Sequence, residues 1–236
     1  ENRTGIRTIS LPGAMLRFDL RDGFPILTTK KVPFNAVKGE LIGFLRGCDS
    51  AAEFRELGCN VWNANANDPG LPGSPNAWLA SPHRKGEDDL GRIYGVQWTG
   101  WRDTRTVRSE AEMRALEGAG YELIAEDASR GLWVLERTIN QVESVLRKLL
   151  TNPTDRRMIV SAWRPDEFDQ MALPPCHVMY QFIADVERKE LHLCMYQRSV
   201  DSGLGAPFNI ASASLFLALM ARLSGFEAAT FTHFMA

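Results

Sequence analysis

Leu135, Ile139, Val142, Leu146 and Leu149 recur at alternating spacings of three and four, with Glu, Arg, Ser and Lys between them. That period lays one apolar stripe along a helix, and Asn152-Pro153 stops it. His177–Ala184 and Glu190–Gln197 alternate apolar and polar positions instead. They predict two strands paired as an antiparallel hairpin across residues 185–189. Met158–Trp163 reads as another strand, and residues 8–20 and 24–30 as short strands around the turn Arg21-Asp22-Gly23. Ala36–Arg46 predicts a helix ending at Gly47, and Ile210–Ser224 a mostly apolar helix capped by Gly225. Strands and helices do not alternate strictly, so the expected class is α+β.

Two stretches break the pattern. Residues 66–90 are rich in Pro, Gly, Asn and Asp and predict a long loop with one helical turn at Ala77–Leu79. Residues 102–131 are polar and charged, with a short helix expected at Ser109–Glu117. Both read as surface excursions.

A length of 236 residues allows one large domain or two small ones. With 44% hydrophobic and 24% charged residues the chain has an ordinary globular composition. A net charge of −2 supplies no global field toward nucleic acid or a membrane, so any anion site must be local. The arginines stand in scattered pairs rather than a basic stripe, which disfavours a nucleic-acid-binding module. Cys48, Cys59, Cys176 and Cys194 are widely spaced without a CxxC pair. Neither zinc nor a disulfide framework is expected, and a reducing cytoplasm is. The most apolar stretch, Ile210–Leu223, falls short of the about 20 apolar residues a membrane span needs. No signal peptide is read. The chain opens at Glu1 rather than Met and stops at Ala236, so both ends are expected to be missing.

Candidate chemistry begins at Leu173-Pro174-Pro175-Cys176-His177. Two prolines fix the backbone just before a strand, which sets the cysteine at a rigid strand entrance. The bland alternative is a buried, inert thiol, which is kept for the other three cysteines. For Cys176 the next motif tilts the balance. Gln197-Arg198-Ser199-Val200-Asp201 closes the hairpin that Cys176 opens, so Arg198 can approach it, favour a thiolate and bind an anion. A surface salt bridge is the alternative for Arg198. Arg156-Arg157 and Arg3 are further candidates for a phosphate site, each weak alone. Asn209, after Gly203-Leu204-Gly205-Ala206-Pro207-Phe208, offers a donor and an acceptor to a pyrimidine edge, but taken alone it reads first as the N-cap of the following helix. Glu40 lies beside Val37, Leu41 and Phe44, where a partly desolvated carboxyl would have a raised pKa suited to acid/base work. A snorkelling surface glutamate is the alternative. Trp62, Trp98 and Tyr94 add aromatic surface that core packing would also explain.

Together these segments resemble the thymidylate synthases. Leu173–His177 is similar to that family's nucleophile motif, residues 197–212 to its longest signature, and residues 155–163 to its arginine-pair strand. Residues 89–98 and 22–31 also fit, in the family's order, leaving residues 66–88 and 102–131 outside the match as insertions in a single domain spanning 1–236. The resemblance implies a mixed β-sheet packed by helices on one face, its other face forming a homodimer interface. It implies reductive methylation of dUMP to dTMP, with 5,10-methylenetetrahydrofolate as one-carbon donor and reductant and no metal or nicotinamide. Cys176 would add to C6 of the pyrimidine. Glu40 and Tyr94 would handle protons, and Asn209 would bind the pyrimidine edge.

The resemblance further implies a dUMP site comprising Arg3, His177, Gln197, Arg198, Ser199, Val200, Asp201 and Asn209, with Arg156 and Arg157 reaching the phosphate from the partner subunit. Trp62, Leu173, Asp201, Leu204, Gly205 and Phe208 would line the folate pocket. Pro33 and Asn65 depart from the family pattern near that pocket. So does the absence, after Ala236, of the family's sugar-binding His and Tyr and of its closing tail, without which the polypeptide is expected to be inactive. Two other readings remain: a pyrimidine hydroxymethylase, in which water rather than hydride traps the methylene group, and a non-catalytic scaffold. Related hydroxymethylases carry Asp where Asn209 stands, and the presence of Cys176, Glu40 and Arg198 argues against the scaffold.

Overall fold

A computed structural model describes residues 9–71 and 74–236. The chain runs β1 (Ala14–Asp19), α1 (Phe34–Arg46), α2 (Ala51–Glu56), α3 (Asn63–Asn67), β2 (Gly70–Leu71), β3 (Ser74–Pro75), α4 (Tyr94–Thr99), β4 (Trp101–Val107), α5 (Glu110–Gly118), β5 (Glu122–Asp127), β6 (Leu132–Ile139), α6 (Gln141–Thr151), β7 (Ile159–Ser161), β8 (His177–Asp185), β9 (Glu190–Gln197), α7 (Gly205–Ser224) and β10 (Glu227–Met235). Single 3-10 turns at Leu20–Asp22, Ala77–Ala80 and Pro165–Gln170 join some of them. The α+β class holds.

The main sheet has the order β1-β10-β9-β8-β7, with β10 parallel to β9 and every other pair antiparallel. Its inner face carries Tyr180, Phe182, Leu191, Leu193, Met195 and Phe231, all fully buried beneath α1, α4, α6 and α7. Period two sends the intervening residues outward, and Met15, Ile159, Ile183, Tyr196 and Phe234 leave that outer face largely apolar and exposed.

The hairpin β8–β9 and the left-handed Gly225 that ends α7 (φ 77°) agree with the sequence reading. Other elements correct it. The stripe through Leu135 and Ile139 is not all helix: both residues lie in β6. Helix α6 starts only at Gln141, where the Asn140 side chain accepts from Glu143 N at 3.0 Å. Asn140 competes for the backbone at the point where a helical period would have continued, and cross-strand pairing of Leu135 with Arg105 and Leu123 takes the upstream half. The polar stretch 102–131 is therefore an ordered layer, a three-stranded antiparallel sheet β4-β6-β5 carrying α5. Residues 24–30 form no strand, and of residues 9–20 only Ala14–Asp19 is extended in the sheet. The strand at Met158–Trp163 shrinks to Ile159–Ser161, and α1 starts two residues earlier than expected. β10 has no counterpart in the sequence reading. Helix α7 begins at Gly205, five residues before the expected start. At 20 residues it becomes long and apolar enough to cross a membrane by length and composition. It is spent in the core instead, with Phe216, Leu217 and Met220 buried against the sheet helices.

Candidate active site

Cys176 stands at the entrance to β8, and its backbone is held from both sides. The Tyr94 hydroxyl accepts from Cys176 N at 2.6 Å, and Arg198 N donates to Cys176 O at 2.9 Å. The Arg198 guanidinium donates to Pro175 O and Pro174 O, at 2.9 Å each, and lies over the Trp163 ring at 5.3 Å. A proline-stiffened loop with its carbonyls clamped by a forked cation has little freedom, so the thiol is fixed relative to its neighbours. Tyr94 arrives because α4 crosses α1 closely at Gly95. A Cβ there would sit 2.4 Å from Phe44 Cα, and with glycine the Tyr94 ring stacks on Phe44 at 5.2 Å. Burial pushes the Tyr94 phenol well above its ordinary pKa.

A cavity of about 240 Å³ opens at Cys176. Glu40, Trp62, Tyr94, Leu173 and His177 line it from one side, and Gln197, Ser199, Val200, Asp201 and Asn209 from the other. Glu40 is not a snorkelling side chain. It is 6% exposed, Trp62 Nε1 donates to its Oε1 at 3.1 Å, and burial pushes its pKa up to about 8. Asn209 lies inside α7, not at its N-terminus, so the capping alternative fails. Its Oδ1 accepts from Gln197 Nε2 at 3.0 Å, and the His177 imidazole lines the same cavity. A register shift between His177 and Met179 brings both His177 and Tyr180 to the inner face, where a regular strand would send residues three apart to opposite sides. Tyr180 Oη and His177 Nδ1 are 3.1 Å apart, and burial drives the His177 pKa down to about 4, so the ring is neutral near pH 7. Asp201 spends Oδ1 on the amides of Gly203 and Leu204, shaping the turn into α7.

A second cavity of about 960 Å³ opens from the same cysteine. It is lined by Leu173, Arg198 and Ser199, and by Asn65, Asn76, Trp78 and Phe168. Of the sequence candidates, Arg156 and Arg157 are exposed beside β7 and line neither cavity. Arg157 pairs with Asp155, Nε to Oδ1, at 3.0 Å. Leu204, Gly205 and Phe208 sit at the start of α7 next to Asp201 but do not line the cavities. Arg3 lies outside the described residues. Sequence reasoning missed Tyr180, whose alternation parity hides its contact with His177, and Asn76, whose Nδ2 donates to Asn65 O and Asp68 O and ties the 66–80 segment to the cavity wall.

Residues 1–236 match the family model described as thymidylate synthase. The chain belongs to the thymidylate synthase family. A thymidylate synthase of Pseudomonas putida is 48% identical over 239 residues, covering 99% of this chain and 72% of that protein. One from Bordetella bronchiseptica is 44% identical over 239 residues, covering 100% of this chain and 72% of the relative. Thymidylate synthase 1/2 of Encephalitozoon cuniculi is 38% identical over 235 residues, with 99% and 69% covered. In this chain the cysteine, the Tyr94 hydroxyl that holds its backbone, the buried carboxyl and the amide line one cavity, and Arg198 lines the second cavity beside it. Among the described residues no group of three or more His, Cys, Asp or Glu is placed to hold a metal ion.

Proposed function

We propose that this protein is a methyltransferase that converts dUMP to dTMP with 5,10-methylenetetrahydrofolate, releasing dihydrofolate. The observation that carries the reading is the convergence of Cys176, Tyr94, Glu40 and Asn209 on one cavity in a chain of this family. Cys176 Sγ adds to C6 of the uracil, and the C5=C6 electron pair moves toward C5 and O4. The Asn209 amide donates to O4 as charge develops there. C5 then takes up the one-carbon unit, and its proton leaves through Tyr94 and solvent ordered by Glu40. Glu40, protonated near neutral pH, can return a proton where charge builds. The folate co-substrate supplies the carbon and the hydride that completes the methyl group. The S–C6 bond then breaks and restores C5=C6. Trp62 and Leu173 in the cavity wall, with exposed Leu204 nearby, offer apolar surface for a flat heterocycle, so the residues present fit the folate.

Arg3, Arg198 and Ser199 are proposed to hold the phosphate, with His177, Gln197, Val200 and Asp201 completing the nucleotide site. Asp201, Gly205 and Phe208 join the folate site. The outward position of Arg156, without an ion-pair partner among the described residues, supports its reaching a partner subunit, with Arg157, across the apolar outer face of the main sheet. Such a face, rimmed by strands, is a normal dimer surface. Residues 66–88 and 102–131 are additions to one catalytic domain. Four unpaired cysteines suit a reducing cytoplasm.

The test is to incubate the full-length protein with dUMP and methylenetetrahydrofolate and weigh the nucleotide, with Cys176→Ser as control. A methyl-sized gain lost in the variant supports the proposal. A hydroxymethyl-sized gain assigns the other branch, and no product despite dUMP binding leaves a scaffold.

A further inference from the structure

Behind Asn209 lies a relay that reaches β10. Gln197 Nε2 is 2.9 Å from Ser199 O and 3.0 Å from Asn209 Oδ1, and Gln197 Oε1 is 2.8 Å from His233 Nε2. A backbone carbonyl can only accept, so the Gln197 atom beside Ser199 O must be the NH₂ group. Its oxygen therefore faces His233, which must present Nε2–H. The second Gln197 N–H then needs an acceptor, which fixes Oδ1 of Asn209 toward Gln197 and leaves Nδ2 free to donate elsewhere.

The sheet explains why His233 is available. β10 runs parallel to β9 with Phe231 opposite Leu193 and His233 opposite Met195, so His233 shares the inner face with Gln197. The imidazole is fully buried, stacks on Phe231 at 5.7 Å, and its Nδ1 has no partner among the described residues. An unpartnered buried nitrogen is cheaper as a bare acceptor than as an orphan N–H, which agrees with the proton being on Nε2. Burial also lowers the pKa to about 4, so the ring is neutral near pH 7.

Resting on the dUMP reading above, we propose that His233 is a positioning residue for nucleobase selection: its Nε2–H pins the Gln197 carboxamide, and this makes Asn209 offer an N–H to a C4 carbonyl and refuse a C4 amino group. His233 touches no substrate. It acts through two side chains, and without it Gln197 Oε1 is left unpaired in a buried site and its grip on Asn209 loosens.

The experiment measures dissociation constants for dUMP and dCMP with the full-length protein, His233→Leu and His233→Gln. The wild type is expected to favour dUMP. His233→Leu should narrow the dUMP-to-dCMP affinity ratio about tenfold, and His233→Gln, which carries an N–H at similar reach, should restore it. A purely structural role would weaken both nucleotides equally and leave the ratio unchanged, which overturns the inference. Should His233→Leu not fold, nitrogen-15 NMR of the wild-type ring decides: a proton on Nε2 supports the inference and one on Nδ1 overturns it. A wild type that binds neither nucleotide would instead overturn the dUMP reading itself.

Discussion

Replacing Glu40 with Gln should stabilise the protein at pH 8 while removing activity. The carboxyl is buried on α1, its ordinary pKa of 4.5 is raised to about 8 by desolvation, and its one polar partner among the described residues is Trp62 Nε1. At and below pH 4.5 the folded and unfolded chains both keep the proton, and Glu40 contributes no pH dependence. Between pH 4.5 and 8 the unfolded chain releases it and the folded chain does not, so stability falls as pH rises. Each pH unit costs about 1.4 kcal/mol, and the window costs about 5 kcal/mol in all. That figure is an upper bound, because water reaching the carboxylate would lower it. Glutamine accepts from Trp62 as well as glutamate does and never ionises. In urea unfolding from pH 4.5 to 8, the variant's advantage should therefore grow from near zero toward that bound. Parallel stability curves for the two proteins across the window would refute the reasoning. Loss of turnover in the more stable variant would then mark Glu40 as a group held for chemistry at the expense of stability.

Tyr94→Phe removes the acceptor for Cys176 N–H and should lower kcat by about 100-fold or more, read in steady-state assays with thiol content unchanged. Glu167 is buried and accepts from Arg92 Nε and from Gln97 Nε2 at 2.7 Å, with Arg102 and Arg164 nearby. Glu167→Gln should cost about 3–5 kcal/mol in chemical denaturation by stranding those cations, and a loss under 1 kcal/mol would refute the role. Tyr196→Asp with Ile183→Asp, on the outer sheet face, should shift sedimentation from dimer to monomer and weaken phosphate binding. An unchanged oligomer would place the interface elsewhere.

The site was more legible than the framework around it. Cys176, Arg198 and Ser199 flank one hairpin, and Asn209 follows in the first turns of α7, so short-range pairing suffices to bring them together. Glu40 and Tyr94 could be flagged from their type and from the helix face, but only the crossing of α1 and α4 at Gly95 sets their distance from the thiol. Leu135 misled because three- and four-residue spacing also arises where a strand runs straight into a helix, and the Asn140 cap that separates them is a local competitor the period does not register. β10 stayed hidden because its short apolar run gains its meaning from partners 37 residues back and at the other end of the chain. Its contribution to the site, His233, was invisible for the same reason. Arg156 and Arg157 remain outside the cavity of one chain, as residues that act across a subunit boundary would.

The most direct test of the central claim is to trap the covalent intermediate. A dUMP analogue with fluorine at C5 cannot release a proton there, so the Cys176–C6 bond should persist. Incubated with the analogue and methylenetetrahydrofolate, the full-length protein should gain the mass of both, and peptide mapping should put the adduct on Cys176. An adduct on another residue, or turnover of dUMP with no adduct from the analogue, would contradict nucleophilic catalysis by Cys176.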